Sequence, residues 1–200
     1  MKAVCPKCGT VFGSWTELIL KPFVASIKEK KRPEQLGDFG EEIFSALVTL
    51  KFGWTPIQAG GLDKGGVDRE FRLGNTIIET QIKTGSMAVD GSWFFDISRA
   101  DGTLDVEFYA ENPRAYLILI GLHCSWEKLR VSRDPLQTQK TILMIPGKKV
   151  VEHFKNRKTY TISITYKKLE ENEYKWLEGT NNLTKIFADE YRKQTGKEMP

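Results

Sequence analysis

Five polar side chains, Asp68, Glu70, Glu79, Gln81 and Lys83, fall close together in a stretch whose other positions are rich in β-branched and aromatic residues. Carboxylate and amide oxygens beside an ammonium are what is needed to hold Mg²⁺ together with a water. The element that would position them is a β-hairpin over residues 65–84. Gly74-Asn75 is a two-residue connection between two strand-like runs. With those residues as the turn, Leu73 faces Thr76, Phe71 faces Ile78, Arg69 faces Thr80 and Val67 faces Ile82, which gives a largely apolar face for a core. The opposite face pairs Arg72 with Ile77, Glu70 with Glu79 and Asp68 with Gln81, and Lys83 follows with the same orientation because side chains alternate along a strand. Glu70 opposite Glu79 is a like-charge pair that costs stability unless a cation or basic group lies between them. The plainer alternative is the solvated face of an antiparallel sheet, which is common and carries no chemistry.

Asp68 followed by Gln81-Ile82-Lys83 resembles the Asp…(Glu/Asp/Gln)-x-Lys core of the PD-(D/E)xK nuclease superfamily, with the Gln form similar to that of Mrr-like restriction endonucleases. The loop Asp63-Lys64-Gly65-Gly66-Val67-Asp68 is similar to the family's entry to the hairpin, with Val67 where a Pro is usual. Gly40-Glu41-Glu42-Ile43-Phe44, followed by Phe52-Gly53-Trp54, resembles the glutamate-bearing helix that precedes it. The resemblance covers about residues 37–85, more weakly to 120, and implies an α/β, restriction-endonuclease-like core with a central mixed β-sheet flanked by helices. It implies a Mg²⁺- or Mn²⁺-dependent endonuclease that hydrolyses DNA phosphodiester bonds, DNA being favoured over RNA. In it Asp68 is the anchoring metal ligand and Gln81 supplies a neutral oxygen in place of the usual carboxylate. Glu41, preferred over Glu42 for its offsets to Phe44 and Val48, restores charge, and Glu79 on the same face as Gln81 does likewise. Lys83 orients or activates the attacking water and stabilises developing negative charge. Restriction of foreign DNA and resolution of branched DNA both fit, and cutting two strands with one site per chain implies a homodimer. Because of Gln81, a catalytically inactive nucleic-acid-binding module of the same fold is the alternative. A zinc-knuckle scaffold for protein partners is a third reading.

The chain has 200 residues, 40% hydrophobic and 28% charged, with a net charge of +4. No apolar run approaches the ~18 residues needed to span a bilayer, and no apolar signal core follows the N-terminal Met, so no membrane association and a cytoplasmic location are expected. Residues 1–33 carry seven Lys/Arg against two Asp/Glu, residues 127–158 nine against three, and residues 34–115 seven against fourteen. An acidic centre between basic flanks suits a metal site whose polyanionic substrate is gripped at the periphery. Lys140, Lys148, Lys149, Lys155, Arg157 and Lys158 are the candidate nucleic-acid contacts, with a merely solvated surface as the alternative. Trp93 and Trp126 are expected in the core rather than as stacking platforms.

Two parts are expected, residues 1–33 as a zinc-knuckle-like segment with a basic helix, and 34–200 as the nuclease-like domain with a basic C-terminal extension. Cys5-Pro6-Lys7-Cys8-Gly9 is half of a zinc ribbon. Cys124, with His123, could complete a structural Zn²⁺ site with Cys5 and Cys8, or the ion could be shared between protomers; a redox pair or inert thiols are the alternatives. Ser14-x-x-Glu17 has the form of a capping box opening an amphipathic segment kinked at Pro22, and the basic run 28–33 ends it. A helix is predicted over Glu34–Lys51 with Phe39, Ile43, Ala46, Leu47 and Leu50 on its core side, widened by Phe44 and Val48. Strands are predicted at 54–58, 93–97, 115–120, 141–145 and 159–166, with 115–120 central and buried on both faces. A basic helix at 148–155 and an amphipathic helix at 182–195 complete the pattern, and residues 98–112 form a crossover.

Overall fold

In a computed structural model, residues 3–4, 11–12, 32–58, 67–98, 104, 106–131 and 138–200 are described. Two short strands, β1 (Ala3–Val4) and β2 (Val11–Phe12), pair antiparallel. Helix α1 (Arg32–Phe52) leads to β3 (Thr55–Gln58), and the hairpin follows as β4 (Arg69–Leu73) and β5 (Thr76–Ser86). Then come β6 (Ser92–Asp96), α2 (Val106–Glu111), β7 (Ala115–Leu122), α3 (Trp126–Val131) and β8 (Lys140–Pro146). Helix α4 (Gly147–Phe154), β9 (Thr161–Thr165), α5 (Tyr166–Glu170), a 3₁₀ turn (Lys175–Leu177) and α6 (Leu183–Thr195) close the chain. Among the described residues no helix is long and apolar enough to cross a membrane.

The centre is a five-stranded mixed sheet in the order β3-β4-β5-β7-β8, antiparallel except for the parallel pair β5–β7. The hairpin register is the one its turn predicts, with Leu73 opposite Thr76 and Glu70 opposite Glu79. Gly74 has φ +60°, as the first central position of a II′ turn requires. All eight residues of β7 are buried, as its unbroken apolar run predicts for a strand covered on both faces.

One face of the sheet carries α1 and α6. Phe39, Ile43, Phe44 and Val48 of α1 pack with Phe71, Ile78 and Ile82 of the hairpin, and Phe187 of α6 joins Phe52 and Trp54. The apolar stripe of α1 is turned toward Phe44 and Val48, and Leu50, expected on the core side, is 47% exposed. The last turn of α1 ends at Gly53, whose positive φ and N–H bond to the Thr49 carbonyl close the helix. Helix α6 is capped by the Asn182 side chain and stopped by Gly196 in the left-handed region. It is tied to the sheet by polar contacts as well. Buried Glu190 accepts from the Tyr116 hydroxyl, Lys193 and Gln194, while the Gln194 amide both accepts from the N–H and donates to the carbonyl of Ile77 in β5.

The other face carries α2, α4 and a second sheet of β6 and β9. Trp93 and Phe95 of β6 lie on the central sheet where β5 and β7 present a registered pair of glycines, Gly85 and Gly121. A Cβ on Gly121 would sit 2.5 Å from the Trp93 ring, and one on Gly85 would sit 3.1 Å from Phe95. The two glycines are therefore what lets β6 approach. Trp93 and Trp126 are both core residues, and Trp93 donates its ring N–H to the Leu122 carbonyl.

Candidate active site

The site forms where β4 begins. The β4–β5 ladder stops at Arg69–Thr80, one residue short of the expected Asp68–Gln81 pair. Asp68 instead donates its N–H to the Thr80 carbonyl at 2.8 Å and accepts the Ile82 N–H on Oδ2 at 2.6 Å. Its carboxylate thus takes the place of a strand carbonyl and satisfies a backbone donor that the vanished strand leaves open. This corrects the expected orientation. Asp68 turns into the seam beside Ile82 rather than lying flat beside Gln81, so its charge is felt on both sides of the sheet. Burial pushes its carboxyl pKa up, against the lowering pull of the Ile82 N–H, Lys83 and Arg69.

From one side comes Glu41. Helix α1 approaches β5 closely because residue 40 is glycine; a Cβ there would lie 1.7 Å from Thr84 Oγ1. Glu41 and Glu42 follow, and the Nη2 of Arg69, which points to this face, bridges Glu41 Oε2 and Glu42 Oε1 at 3.1 Å each. Burial raises the Glu41 pKa to about 7; Arg69 opposes this, while Asp68, Asp38 and Glu42 add to it.

From the other side come Gln81 and Lys83, in register with Leu117 and Leu119 of β7. Gln81 is buried, and its Oε1 accepts the hydroxyl of buried Tyr109 from α2. That bond fixes the amide and uses one of the two lone pairs on its oxygen. Glu79 is held by the Asn112 amide, and Glu70 is paired with Arg72. Glu70 thus has the basic neighbour that its position opposite Glu79 calls for. The Lys83 charge lowers the pKa of Asp68 and also that of Asp96 at the end of β6. Among the described residues no three His, Cys, Asp or Glu side chains form a metal-holding group. The oxygen donors flanking the start of β4 are the Asp68 and Glu41 carboxylates, coupled on the α1 side, and the Gln81 amide on the opposite side of β5.

Sequence reasoning did not find Arg69, Tyr109 and Asp96. Arg69 sits at the apolar-face position opposite Thr80, and only the placement of α1 above it shows that it meets two glutamates. Tyr109 lies in the crossover, with no local pattern linking it to Gln81. Asp96 stands at the end of a strand from the second sheet.

The remaining candidates lie apart. Cys5 and Cys8 fall outside the described residues, as do the loop 59–66 and the segment 13–31. His123 is hydrogen-bonded to Thr141 Oγ1 at 2.8 Å and lies edge-on to Trp93 and Tyr166, with its pKa lowered by burial. Cys124 is a free, half-buried thiol whose pKa is raised by burial. The basic residues divide. Lys140 opens β8, whereas Lys148, Lys149, Lys155, Arg157 and Lys158 lie on or after α4, which starts where β8 ends. Seven residues of strand put about 20 Å between them. Within the second group, Lys149 reaches the Glu178 carbonyl and Arg157 lies over the Phe154 ring.

No family model matches the chain, and no curated protein matches it. Among solved structures a bacterial homing endonuclease aligns over 68% of this chain and 77% of its own, with 15% identity and a TM-score of 0.42. That is a partial likeness.

Proposed function

We propose that the chain is a metal-dependent nuclease of the PD-(D/E)xK kind that hydrolyses DNA phosphodiester bonds. The observation that carries this reading is Asp68 at the head of β4, coupled electrostatically to Glu41 of α1 on one side and to Lys83 of β5, two residues beyond Gln81, on the other. Mg²⁺ and Mn²⁺ are commonly held by one or two carboxylates, with water and substrate phosphate filling the shell, and Asp68, Glu41 and the Gln81 oxygen are donors of that type. Two partly desolvated carboxylates, one of which raises the pKa of the other, also stand to gain from a cation. When bound, the ion neutralises charge on the phosphate and acidifies a water.

The chain's residues do the rest. Asp68 is immobilised by the Ile82 N–H and offers its carboxylate in a fixed direction. Gln81, held by Tyr109, keeps its amide plane set without adding charge. Lys83 orients the attacking water and places positive charge beside the oxygens that become more negative in the transition state. Glu41 is the adjustable carboxylate, held by Arg69 until a stronger cation arrives. The basic residues after β8 are proposed as backbone contacts, and a homodimer as the arrangement that cuts both strands.

A second reading has the same fold binding nucleic acid without cutting it. Its support is that the Gln81 oxygen already serves Tyr109 and that Glu41 already serves Arg69. The deciding experiment is cleavage of duplex, single-stranded and four-way-junction DNA and of RNA, with Mg²⁺, Mn²⁺ or EDTA, by wild type, Lys83→Ala and Asp68→Asn. Metal-dependent cutting lost in both variants is expected. Equal inertness of all three proteins with equal nucleic-acid binding would leave the binding module.

A further inference from the structure

Arg69 holds neither metal nor water in the nuclease reading, yet its guanidinium sits between two acids at the edge of the site. A single nitrogen, Nη2, lies between two carboxylate oxygens from successive residues of α1, at equal distances of 3.1 Å. Its side chain is only 15% exposed, and those of Glu41 and Glu42 are 24% and 33% exposed, so these contacts are sheltered from water. Arg69 also follows Asp68 directly, and the position of its backbone is fixed because its carbonyl accepts the Thr80 hydroxyl. A cation placed between carboxylates by a rigid strand is a permanent version of what a divalent ion would do there.

Building on the nuclease reading, we propose that Arg69 is the site's internal counter-cation, which holds Glu41 in the metal-free protein and yields it to a divalent ion while staying tethered to Glu42. Three features point to exchange rather than a fixed ion pair. The bridge is made through one nitrogen to two acids, so losing Glu41 leaves a charged partner in place. Glu42 lies next to Glu41 on the helix and more toward solvent, so the guanidinium can swing outward without leaving its field. The strand backbone does not have to move, because Asp68 and Arg69 are fixed by bonds to Thr80 and Ile82. Arg69 is thus a positioning residue. It keeps two neighbouring glutamates from repelling one another, and it sets how tightly the site takes a metal.

The two acids give the proposal opposite signs. Without Arg69, Glu41 has no competitor, so a divalent ion binds more tightly. With Glu42 neutral, Arg69 has only Glu41 to pair with, so the ion binds more weakly. A purely structural role would weaken binding in both cases. The experiment is Mn²⁺ titration of the full chain, without nucleic acid, by calorimetry and by the loss of the free-ion paramagnetic resonance signal, for wild type, Arg69→Met, Arg69→Lys and Glu42→Gln. Arg69→Met is expected to bind Mn²⁺ about tenfold more tightly than wild type and Glu42→Gln several-fold more weakly, the change expected when one neighbouring charge is removed. Arg69→Lys, which keeps the charge but loses the fork, should fall between wild type and Arg69→Met. Thermal unfolding with and without Mn²⁺ checks that each variant is folded, and Arg69→Lys carries the test if Arg69→Met is not. Unchanged or weaker binding in the Arg69 variants would overturn the proposal while leaving the nuclease reading intact. A wild-type chain that binds no Mn²⁺ would overturn both.

Discussion

Asp68 has two duties that separate under substitution. Its carboxylate accepts the Ile82 N–H just before β4 begins, so Asp68→Ala leaves a backbone donor without its partner and should destabilise the protein by about 1–3 kcal/mol. Asp68→Asn keeps an acceptor oxygen and should cost less, while still losing the charge that a metal needs. Urea unfolding of the two variants, compared with their cleavage rates, tests whether structure and chemistry part in this way. Glu41 makes the second prediction at this scale. Its pKa is raised from 4.5 to about 7, so the folded state binds a proton more readily than the unfolded state. Stability from this group is complete below pH 4.5 and is lost as pH rises through 7. In EDTA the urea midpoint should therefore fall across that window, and Glu41→Gln should remove this part of the slope. Because an incoming cation must displace that proton, Mn²⁺ affinity should climb between pH 5.5 and 7 and level off above.

At the scale of elements, the approach of α1 to β5 at Gly40 sets the height of Glu41 above the site. Gly40→Ala places a methyl on Thr84 Oγ1, and the helix must lift to accept it. The expected cost is about 1–3 kcal/mol, as for overpacking elsewhere. Cleavage should fall further than stability alone explains, and the double variant Gly40→Ala/Thr84→Ala should recover part of both; chemical denaturation and single-turnover rates measure the two. The hairpin was legible because Gly74-Asn75 fixes its register and every later pairing follows by alternation. It was misread at its open end, where the ladder stops at Arg69–Thr80 and the Asp68 carboxylate takes the Ile82 N–H instead. The stripe on α1 was legible as helical, but its centre was misplaced. Leu50 fits the periodicity, and only the angle at which α1 crosses the sheet decides that it faces outward.

For the molecule as a whole, the order of elements could be read from the chain because β7 is an unbroken apolar run and α6 carries its own cap and stop. The second sheet could not. Trp93 and Phe95 mark a strand, but its seat depends on Gly85 and Gly121 being side by side in parallel strands, a relation between positions far apart in sequence. Tyr109 and Arg69 stayed hidden for the same reason, since each acquires meaning from a partner on another element. The C-terminal helix carries a further consequence through Gln194. Its amide faces Ile77 as a peptide group of an adjoining strand would, accepting and donating at a place where β7 has not yet begun to pair. A side chain is thus standing in for a missing neighbour at an open length of sheet. Open backbone of that kind recruits strands from other molecules, so Gln194→Ala should leave the chain folded at low concentration but shift it toward larger assemblies than wild type forms as concentration rises. Light scattering across a dilution series would register this, and the folded chain's resistance to clumping would then rest in part on one amide near its end.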